Sequence, residues 1–213
     1  MESLSAIALA GGLAWASGIR LYATIFIVGL LGRLDYLHLP GPLVVLEHDW
    51  VLIASGIMVA GEFLADKVPG FDSIWDGIHT FIRIPAGAFL AWGALGDATP
   101  AAQVAAAILG GMISAGTHLA KSGGRAAINT SPEPLSNWTL SFGEDGLVLA
   151  GLFLAIAHPV AFLVLLALFL ALVAWLLPKV LRYLMRVFRR LSGRDEGGGQ
   201  ATDVSVRADN GRA

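Results

Sequence analysis

The chain has 213 residues, of which 56% are hydrophobic and 14% are charged, and its mean hydropathy is +0.71. This composition indicates a membrane protein with several apolar segments rather than a soluble domain. The formal net charge of −2 gives no reason to expect nucleic-acid binding, and the lack of cysteine excludes disulfides, thiolate metal sites and cysteine nucleophiles. No cofactor is expected.

The apolar segments predict an all-α fold, a polytopic transmembrane helical bundle of about six spans. The N-terminus enters the first of them without a basic region before it, which predicts a retained helix instead of a cleaved signal peptide. The last two meet at His158-Pro159, where the proline favours a turn, although one long kinked helix is an alternative. The predicted spans are residues 4–31, 50–66, 80–96, 101–121, 138–157 and 159–178.

The basic residues predict the orientation of this bundle. With six spans, Arg33 is the only basic residue in the outside loops, whereas the inside loops and the C-terminal segment hold many. This asymmetry predicts that both termini are cytoplasmic, because Lys and Arg accumulate in inside loops. The inside residues are Lys67, Arg83, Lys121, Arg125, Lys179, Arg182, Arg186, Arg189, Arg190 and Arg194.

The domain prediction is one transmembrane domain, residues 1–190, followed by a disordered cytoplasmic tail, residues 191–213, which is polar and rich in glycine. Three spans in each half, 1–97 and 98–190, favour a 3+3 inverted repeat. After Pro178, four arginines share one helix face, which predicts binding to anionic lipids, or orientation of the helix only. They are Arg182, Arg186, Arg189 and Arg190.

Arg20 lies near the middle of the first predicted span. A guanidinium at that depth costs at least about 2.5 kcal/mol on insertion scales, so it should face a cavity or a carboxylate. Glu62, inside the second span with Asp66 one turn later on the same face, is the candidate partner.

Two further stretches carry charged residues at helical spacing. Asp72, Asp76, His79 and Arg83 fall within one stripe of a helix about 60° wide. A similar but basic stripe follows in the fourth span, unless Gly123-Gly124 interrupts that helix. It consists of His118, Lys121, Arg125 and Asn129. Because both stripes lie at the inner boundary and have complementary charge, we expect them to face each other. Asp72 as a helix cap and Arg83 as an orientation signal are the simpler alternatives.

A third polar stretch precedes the fifth span. Ser131 before Pro132 predicts a helix start, with Glu133 in the first turn. This helix would carry Asn137, Ser141 and Glu144 on roughly one face, with Asp145 beside them. Two carboxylates in a span are costly, so at least one should meet Lys121, Arg125 or water.

Three strings of this sequence resemble one protein family. They are ASGIRLY (16–22), EFLADKVPGFDSIWDGIHTFIRIPAGA (62–88) and GGRAAINTSPEPLSNWTLSFGED (123–145). They are similar to the bacterial membrane family known as domain of unknown function 4126, over roughly residues 5 to 185. The resemblance implies a multi-pass protein of the bacterial inner membrane. It implies no activity.

Three functions remain open at this point. A transporter for a small solute or ion would place the polar residues in a cavity that opens to the cytoplasm. A structural or assembly protein would use them as ion pairs that fasten helix ends. A membrane-embedded enzyme acting on a lipid or phosphorylated substrate would bind a metal through Asp72, Asp76 and His79, with Arg83 on a phosphate.

The partners expected are the lipid bilayer, with anionic lipids at the C-terminal basic helix, and the solute or ion. A homo-oligomer is an open alternative. The candidate binding residues are Arg20, Glu62, Asp66, Asp72, Asp76, His79, Arg83, His118, Lys121, Arg125, Asn129, Glu133, Asn137, Glu144 and Asp145.

Overall fold

The computed structural model describes residues 2–67, 71–128 and 134–191, and every regular element in these ranges is helical. The all-α prediction is therefore confirmed. The helices are α1 (Glu2–Arg33), a 3₁₀ helix (Gly41–Glu47), α2 (Asp49–Ala65), α3 (Phe71–Ala94), α4 (Pro100–Ile128), α5 (Pro134–Ala157) and α6 (Pro159–Leu191).

Prolines mark the beginnings of three of these helices. Pro100, Pro134 and Pro159 are the first residues of α4, α5 and α6, where the missing N–H has no intrahelical partner to lose. His158 lies between α5 and α6 outside any helix, so the predicted break there is confirmed. Gly123-Gly124 does not interrupt α4, which is continuous to Ile128. The predicted helix start near Pro132 lies outside the described residues.

The chain separates into two compact units, Met1–Trp175 and Leu176–Ala213. The second unit begins within α6, and its described part is helical to Leu191. Arg182 and Arg186 are exposed there, as a surface that attracts anionic lipids requires. The side chains of Arg189 and Arg190 and the predicted tail after Leu191 lie outside what the structure describes.

Arg20 divides α1 into two half-helices. Its backbone dihedrals, φ −139° and ψ 81°, are not helical. Ser5 and Leu9, before the break, line a cavity of about 240 Å³ together with Leu37, whose backbone N–H donates to the carbonyl of Leu31 at 3.2 Å. A straight helix would hold residues 5 and 31 about 40 Å apart, at 1.5 Å per residue. We infer that α1 is a helical hairpin with Arg20 at its tip.

The hairpin changes the predicted topology. The predicted first span, 4–31, is not one straight crossing, because residues on both sides of Arg20 return to the same end of the bundle. A cytoplasmic N-terminus, which depended on that crossing, loses its basis. The 3₁₀ helix also lies at this end, since Leu43 and Pro42 approach Gly93 and Gly96 at the end of α3. We call this end of the bundle the base end and the opposite one the tip end.

Hydropathy gives a second count of the spans. Within the described residues, four helices are long and apolar enough to cross a membrane, or five if the 3₁₀ helix and α2, bent by 66°, form one span. The predicted number of six is not confirmed. Nor is the inverted repeat, because α4, which begins the second predicted half, has no break like that of α1. The four helical segments are Ser3–Arg33, Pro100–Arg125, Trp138–Ala157 and Pro159–Lys179.

Small residues allow the other helices to surround the hairpin closely. A Cβ atom at Gly18 would lie 2.6 Å from the carbonyl oxygen of Ser114 in α4, so only glycine fits there. On another side, the Trp15 ring packs edge-on against Phe162 and Phe169, with centroids 6.2 and 6.4 Å apart. The hairpin therefore forms the centre of the core, with α3 and α4 on one side and α5 and α6 on the other.

The hairpin is testable by cross-linking, because the chain has no cysteine of its own. A Ser5→Cys, His38→Cys double variant should be joined within one chain by a short bismaleimide, since both residues are exposed and line the same cavity at the base end. Ser5→Cys with Ser122→Cys, at opposite ends, is the control and should not be joined. Mass spectrometry of the cleaved protein identifies the product. Failure of the 5–38 pair to react, with each single cysteine still labelled, would contradict the hairpin.

Candidate functional site

Ionisable side chains from five helices meet around the tip of the α1 hairpin. Eight of them are at most 8% exposed, and the ninth, Asp145, has a side chain that is 34% exposed. We call these nine residues the charge cluster: Arg20, Arg83, Lys121 and Arg125, with the carboxylates Glu62, Asp66, Asp76, Glu144 and Asp145.

Arg20 occupies the centre of the cluster. Its guanidinium donates to Asp66 through Nη1 and to the Ser141 hydroxyl through Nη2 at 2.9 Å. Its Nε lies 2.9 Å from Oδ1 of Asp145, and Nη2 lies 3.5 Å from Oε2 of Glu144. Carboxylates from α5 and from the end of α2 therefore compensate the charge that the hairpin tip carries into the bundle.

The backbone at the break also has polar partners. The carbonyl of Ile19 accepts a hydrogen bond from Nζ of Lys121 at 2.9 Å. The carbonyl of Arg20 accepts one from the Thr24 hydroxyl at 2.8 Å. Because a buried backbone carbonyl without a partner is costly, these contacts stabilise the non-helical residue.

Arg83 joins α2, α3 and α4. Its Nη2 donates to Oε1 of Glu62 at 2.5 Å, and its Nη1 donates to Oδ1 of Asp76 at 2.9 Å. The same Nη1 lies 2.9 Å from Nδ1 of His118. A guanidinium only donates, so Nδ1 of His118 accepts, and its Nε2 carries the proton toward the Thr80 hydroxyl, 2.7 Å away. His118 is thus a neutral member of the site.

Arg125 and Lys121 join the remaining carboxylates. Arg125 binds Glu144 through two bonds, Nε to Oε1 at 3.0 Å and Nη2 to Oε2 at 2.6 Å, the strong paired geometry of this ion pair. Its Nη2 is also 3.1 Å from Oδ2 of Asp66. Nζ of Lys121 lies 3.6 Å from both Asp76 and Glu144, and 3.9 Å from Glu62. The acidic and basic stripes therefore do face each other.

His79 lies at the edge of the cluster. Its Nδ1 is 2.7 Å from the carbonyl of Trp75, on whose ring it stacks at 4.2 Å between centroids. Tyr22 packs edge-on against the same imidazole at 5.6 Å. The ring is buried and fixed by aromatic contacts rather than by an ion pair.

The eight buried members of the cluster are four carboxylates and four cations, and the fifth carboxylate, Asp145, is partly exposed. Three buried carboxylate oxygens have no hydrogen-bond donor in the described structure: Oε2 of Glu62, Oδ1 of Asp66 and Oδ2 of Asp76. Four buried donors also lack an aligned acceptor in the described structure: Nε of Arg20, Nε of Arg83, Nζ of Lys67 and Nε1 of Trp75.

Two cavities adjoin the cluster within the first unit. The α6 cavity, of about 430 Å³, lies between α1, α4, α5 and α6, and the cluster residues Lys121 and Glu144 line it. The α2 cavity, of about 350 Å³, lies between α1, α2 and α5, and Arg20, Glu62 and Asp145 line it. The cluster therefore forms part of the wall of each.

The structure brings most of the sequence candidates together. The nine cluster residues lie at the tip end, together with His79 and His118. The other four candidates lie outside what the structure describes, namely the side chains of Asp72 and Asn137 and the candidates at positions 129 and 133, Asn129 and Glu133. Arg20 pairs with Asp66, Glu144 and Asp145, whereas its candidate partner Glu62 pairs with Arg83.

Within the described residues, no group of three His, Asp or Glu side chains is arranged to hold an ion. The metal prediction for Asp72, Asp76 and His79 stays a prediction, because the side chain of Asp72 lies outside what the structure describes; Asp76 pairs with Arg83. Ser141 and Thr80 were missing from the candidate set. Ser141 lies three residues before Glu144 and Thr80 four residues after Asp76, so helical spacing was the signal for both.

The comparison with known proteins identifies the family of this chain. Residues 7–179 match the family described as domain of unknown function (DUF4126). The match covers more than half of the chain, and the chain belongs to this family, as the resemblance predicted. No curated protein and no solved structure matches the chain.

Two arginine–aspartate pairs in different surroundings test how far the fold depends on the cluster. Arg20→Gln removes the cation that pairs with Asp145 and leaves the buried Asp66 with Arg125 alone, so it should lower the free energy of unfolding by about 3–5 kcal/mol. Arg33→Gln removes a pair with Asp49 whose side chains are 48% and 65% exposed, and should cost less than about 1 kcal/mol. Unfolding of the detergent-solubilised variants, followed by tryptophan fluorescence, measures both. Equal losses would contradict the central role of Arg20.

Proposed function

We propose that this protein is a membrane permease for a small solute or ion, and that the charge cluster is the site that binds and releases positive charge during transport. The observation that carries this proposal is a set of three buried carboxylate oxygens, from Glu62, Asp66 and Asp76, that have no hydrogen-bond donor in the described structure and lie at the tip of a broken helix. In transporters, half-helices that end near the middle of the membrane supply polar backbone groups and bring charged side chains to the substrate.

The topology that we propose has five crossings, α2 to α6, with the α1 hairpin entering from the outside. Lys67 and Arg125 at the tip end would then be cytoplasmic, and Arg33 at the base end would be outside, in agreement with the positive-inside rule. This places the N-terminus outside and the C-terminus inside, in the bacterial inner membrane.

Helix α3 is too polar to pass the hydropathy criterion, yet it suits a crossing. Its charged residues Asp76 and Arg83 are buried in the cluster. Ile74, Ile78 and Phe81 are between 60% and 84% exposed, an apolar face that lipid would cover. The polar residues lower the hydropathy of α3 without facing the bilayer.

The unpartnered oxygens favour transport over simple fastening of helices. A cluster that only fastens is most stable when every buried polar atom has a partner, because an unsatisfied buried group costs about 1–3 kcal/mol. Here, one proton or one monovalent cation would meet the unpartnered oxygens of Glu62, Asp66 or Asp76. The binding of that cation is the step that we assign to the transport cycle.

A structural or assembly role is the second candidate, and one observation favours it. Each of the four cations has a carboxylate oxygen within 3.6 Å, and Arg125 holds Glu144 through two hydrogen bonds. Such pairs can fix helix ends without binding anything further. No observation in the described residues favours the metal-dependent enzyme.

Glu62→Gln separates the two candidates, because it mimics a protonated Glu62 and removes the charge of a carboxylate whose Oε2 has no donor in the described structure. Purified protein in proteoliposomes on a capacitive electrode should give a current when a proton gradient or a panel of small amines, organic acids and sugars is applied. The variant should lose at least about 90% of the current, because its charge no longer changes, while its unfolding midpoint stays within a few degrees of the wild type.

Asp49→Asn is the matched control, since Asp49 is an exposed carboxylate of the base end, and it should conduct as the wild type does. Two results would count against a permease. One is a wild-type current no larger than that of protein-free vesicles with every solute. The other is a current that Glu62→Gln retains, and strong destabilisation by that substitution would then favour the structural role.

A further inference from the structure

We propose that the α2 cavity is the binding site for a small organic ammonium ion with an apolar body. As the substrate class of the permease, this inference rests on the proposed function, whereas binding itself does not require transport. The polar residues of the cavity wall supply the argument for the positive charge, and its apolar residues supply the argument for the organic body.

Two carboxylates and one guanidinium supply the charge of the cavity wall. Glu62 is 1% exposed and lines the cavity, and its Oε2 has no donor in the described structure, while its Oε1 is held by Arg83. Asp145 contributes a second carboxylate, which is partly open. The guanidinium of Arg20 is held by Asp66, Ser141 and Asp145, although its Nε has no aligned acceptor. With two carboxylates against one cation, the wall favours a ligand that donates hydrogen bonds and carries a positive charge.

The remaining wall is apolar and excludes a hydrated inorganic ion as the best occupant. Aliphatic side chains from three helices, with one aromatic ring, surround the carboxylates. A volume of about 350 Å³ is within the range of small-molecule sites and admits several carbon atoms beside an ammonium group. The apolar lining residues are Ala23, Ile27, Val59, Ala60, Phe63, Val148 and Leu149.

A neighbouring aromatic cluster already stabilises an ammonium group of the chain itself. Nζ of Lys67 lies 3.0 Å from the ring centroid of Phe63, 4.7 Å from that of Phe142 and 5.5 Å from that of Trp138. This Nζ is buried and has no hydrogen-bond acceptor in the described structure. Phe63 also lines the α2 cavity. The surroundings of the cavity thus favour cations through ring faces as well as carboxylates.

Binding can be measured without transport, on the full chain in detergent micelles or nanodiscs. Titration calorimetry should detect saturable binding of benzylammonium and butylammonium. Benzyl alcohol, which matches the first in shape but has no charge, and benzoate, which has the opposite charge, should bind at least about tenfold more weakly. Binding of neither ammonium ion, or equal binding of all the ligands, would overturn the proposal.

Variants locate the site. Asp145→Asn and Glu62→Gln should each weaken benzylammonium binding at least about tenfold, and Asp145 is open enough that its variant should fold normally. Asp49→Asn should bind as the wild type does. Binding that both cavity variants retain would show that the ammonium binds elsewhere and would overturn the assignment.

The outcomes for this site and for the permease are distinguishable. Ammonium binding at Glu62 and Asp145 without any current would support the site and contradict transport. A solute-dependent current lost in Glu62→Gln, with no ammonium binding in the wild type, would support the permease and overturn this substrate class.

Discussion

The burial of a guanidinium at a break in a helix is the constraint on which the rest of this structure depends. Arg20 is 2% exposed and its own backbone is not helical, so both its charge and the neighbouring carbonyls need partners inside the bundle. Asp66 at the end of α2 and Ser141 on α5 supply them to the side chain, and Lys121 on α4 supplies one to the backbone. Three helices are thereby fixed against the tip of α1.

Each partner then needs partners of its own, and this requirement explains the size of the cluster. Asp66 and Glu144 are acidic groups around Arg20, and Arg125 on α4 compensates both. Lys121 extends the cluster to Asp76, and Arg83 closes it between Asp76 and Glu62. The series ends at neutral groups, His118 and Thr80, where no further charge has to be matched. Because the members share partners, the removal of one changes the energy of several others.

How much of this the sequence could predict depends on whether each feature was local. The spacing of Asp76 and Arg83, and of His118 and Lys121, fixes helix faces, so the facing stripes could be foreseen. The hairpin could not, because hydropathy averages over a whole segment and a single non-helical residue leaves it unchanged. With α1 counted as a crossing, an even number of spans was needed to keep the basic residues on one side of the membrane. With α1 as a re-entrant hairpin, five crossings keep them on one side.

The identity of the partner of Arg20 shows the same limit at a smaller scale. Glu62 and Asp66 lie one turn apart on α2, so the sequence placed both on the correct face but could not say which reached the hairpin tip. The fold assigns Asp66 to Arg20 and leaves Glu62 between Arg83 and the α2 cavity. That assignment matters for function, because it gives the carboxylate with an unpartnered oxygen to the cavity wall.

The cluster contributes to the walls of two cavities, so a change of charge at one wall acts on the other. Glu62 and Asp145 line the α2 cavity, and Lys121 and Glu144 line the α6 cavity. Arg83 and Lys121 lie within a few ångströms of Glu62. In a medium of low dielectric constant, a cation that binds at Glu62 therefore weakens the attraction between this carboxylate and both residues. Lys121 is also the residue that holds the Ile19 carbonyl at the break in α1. A change of charge at the α2 cavity is therefore transmitted, through shared ion pairs, to the backbone of the hairpin tip.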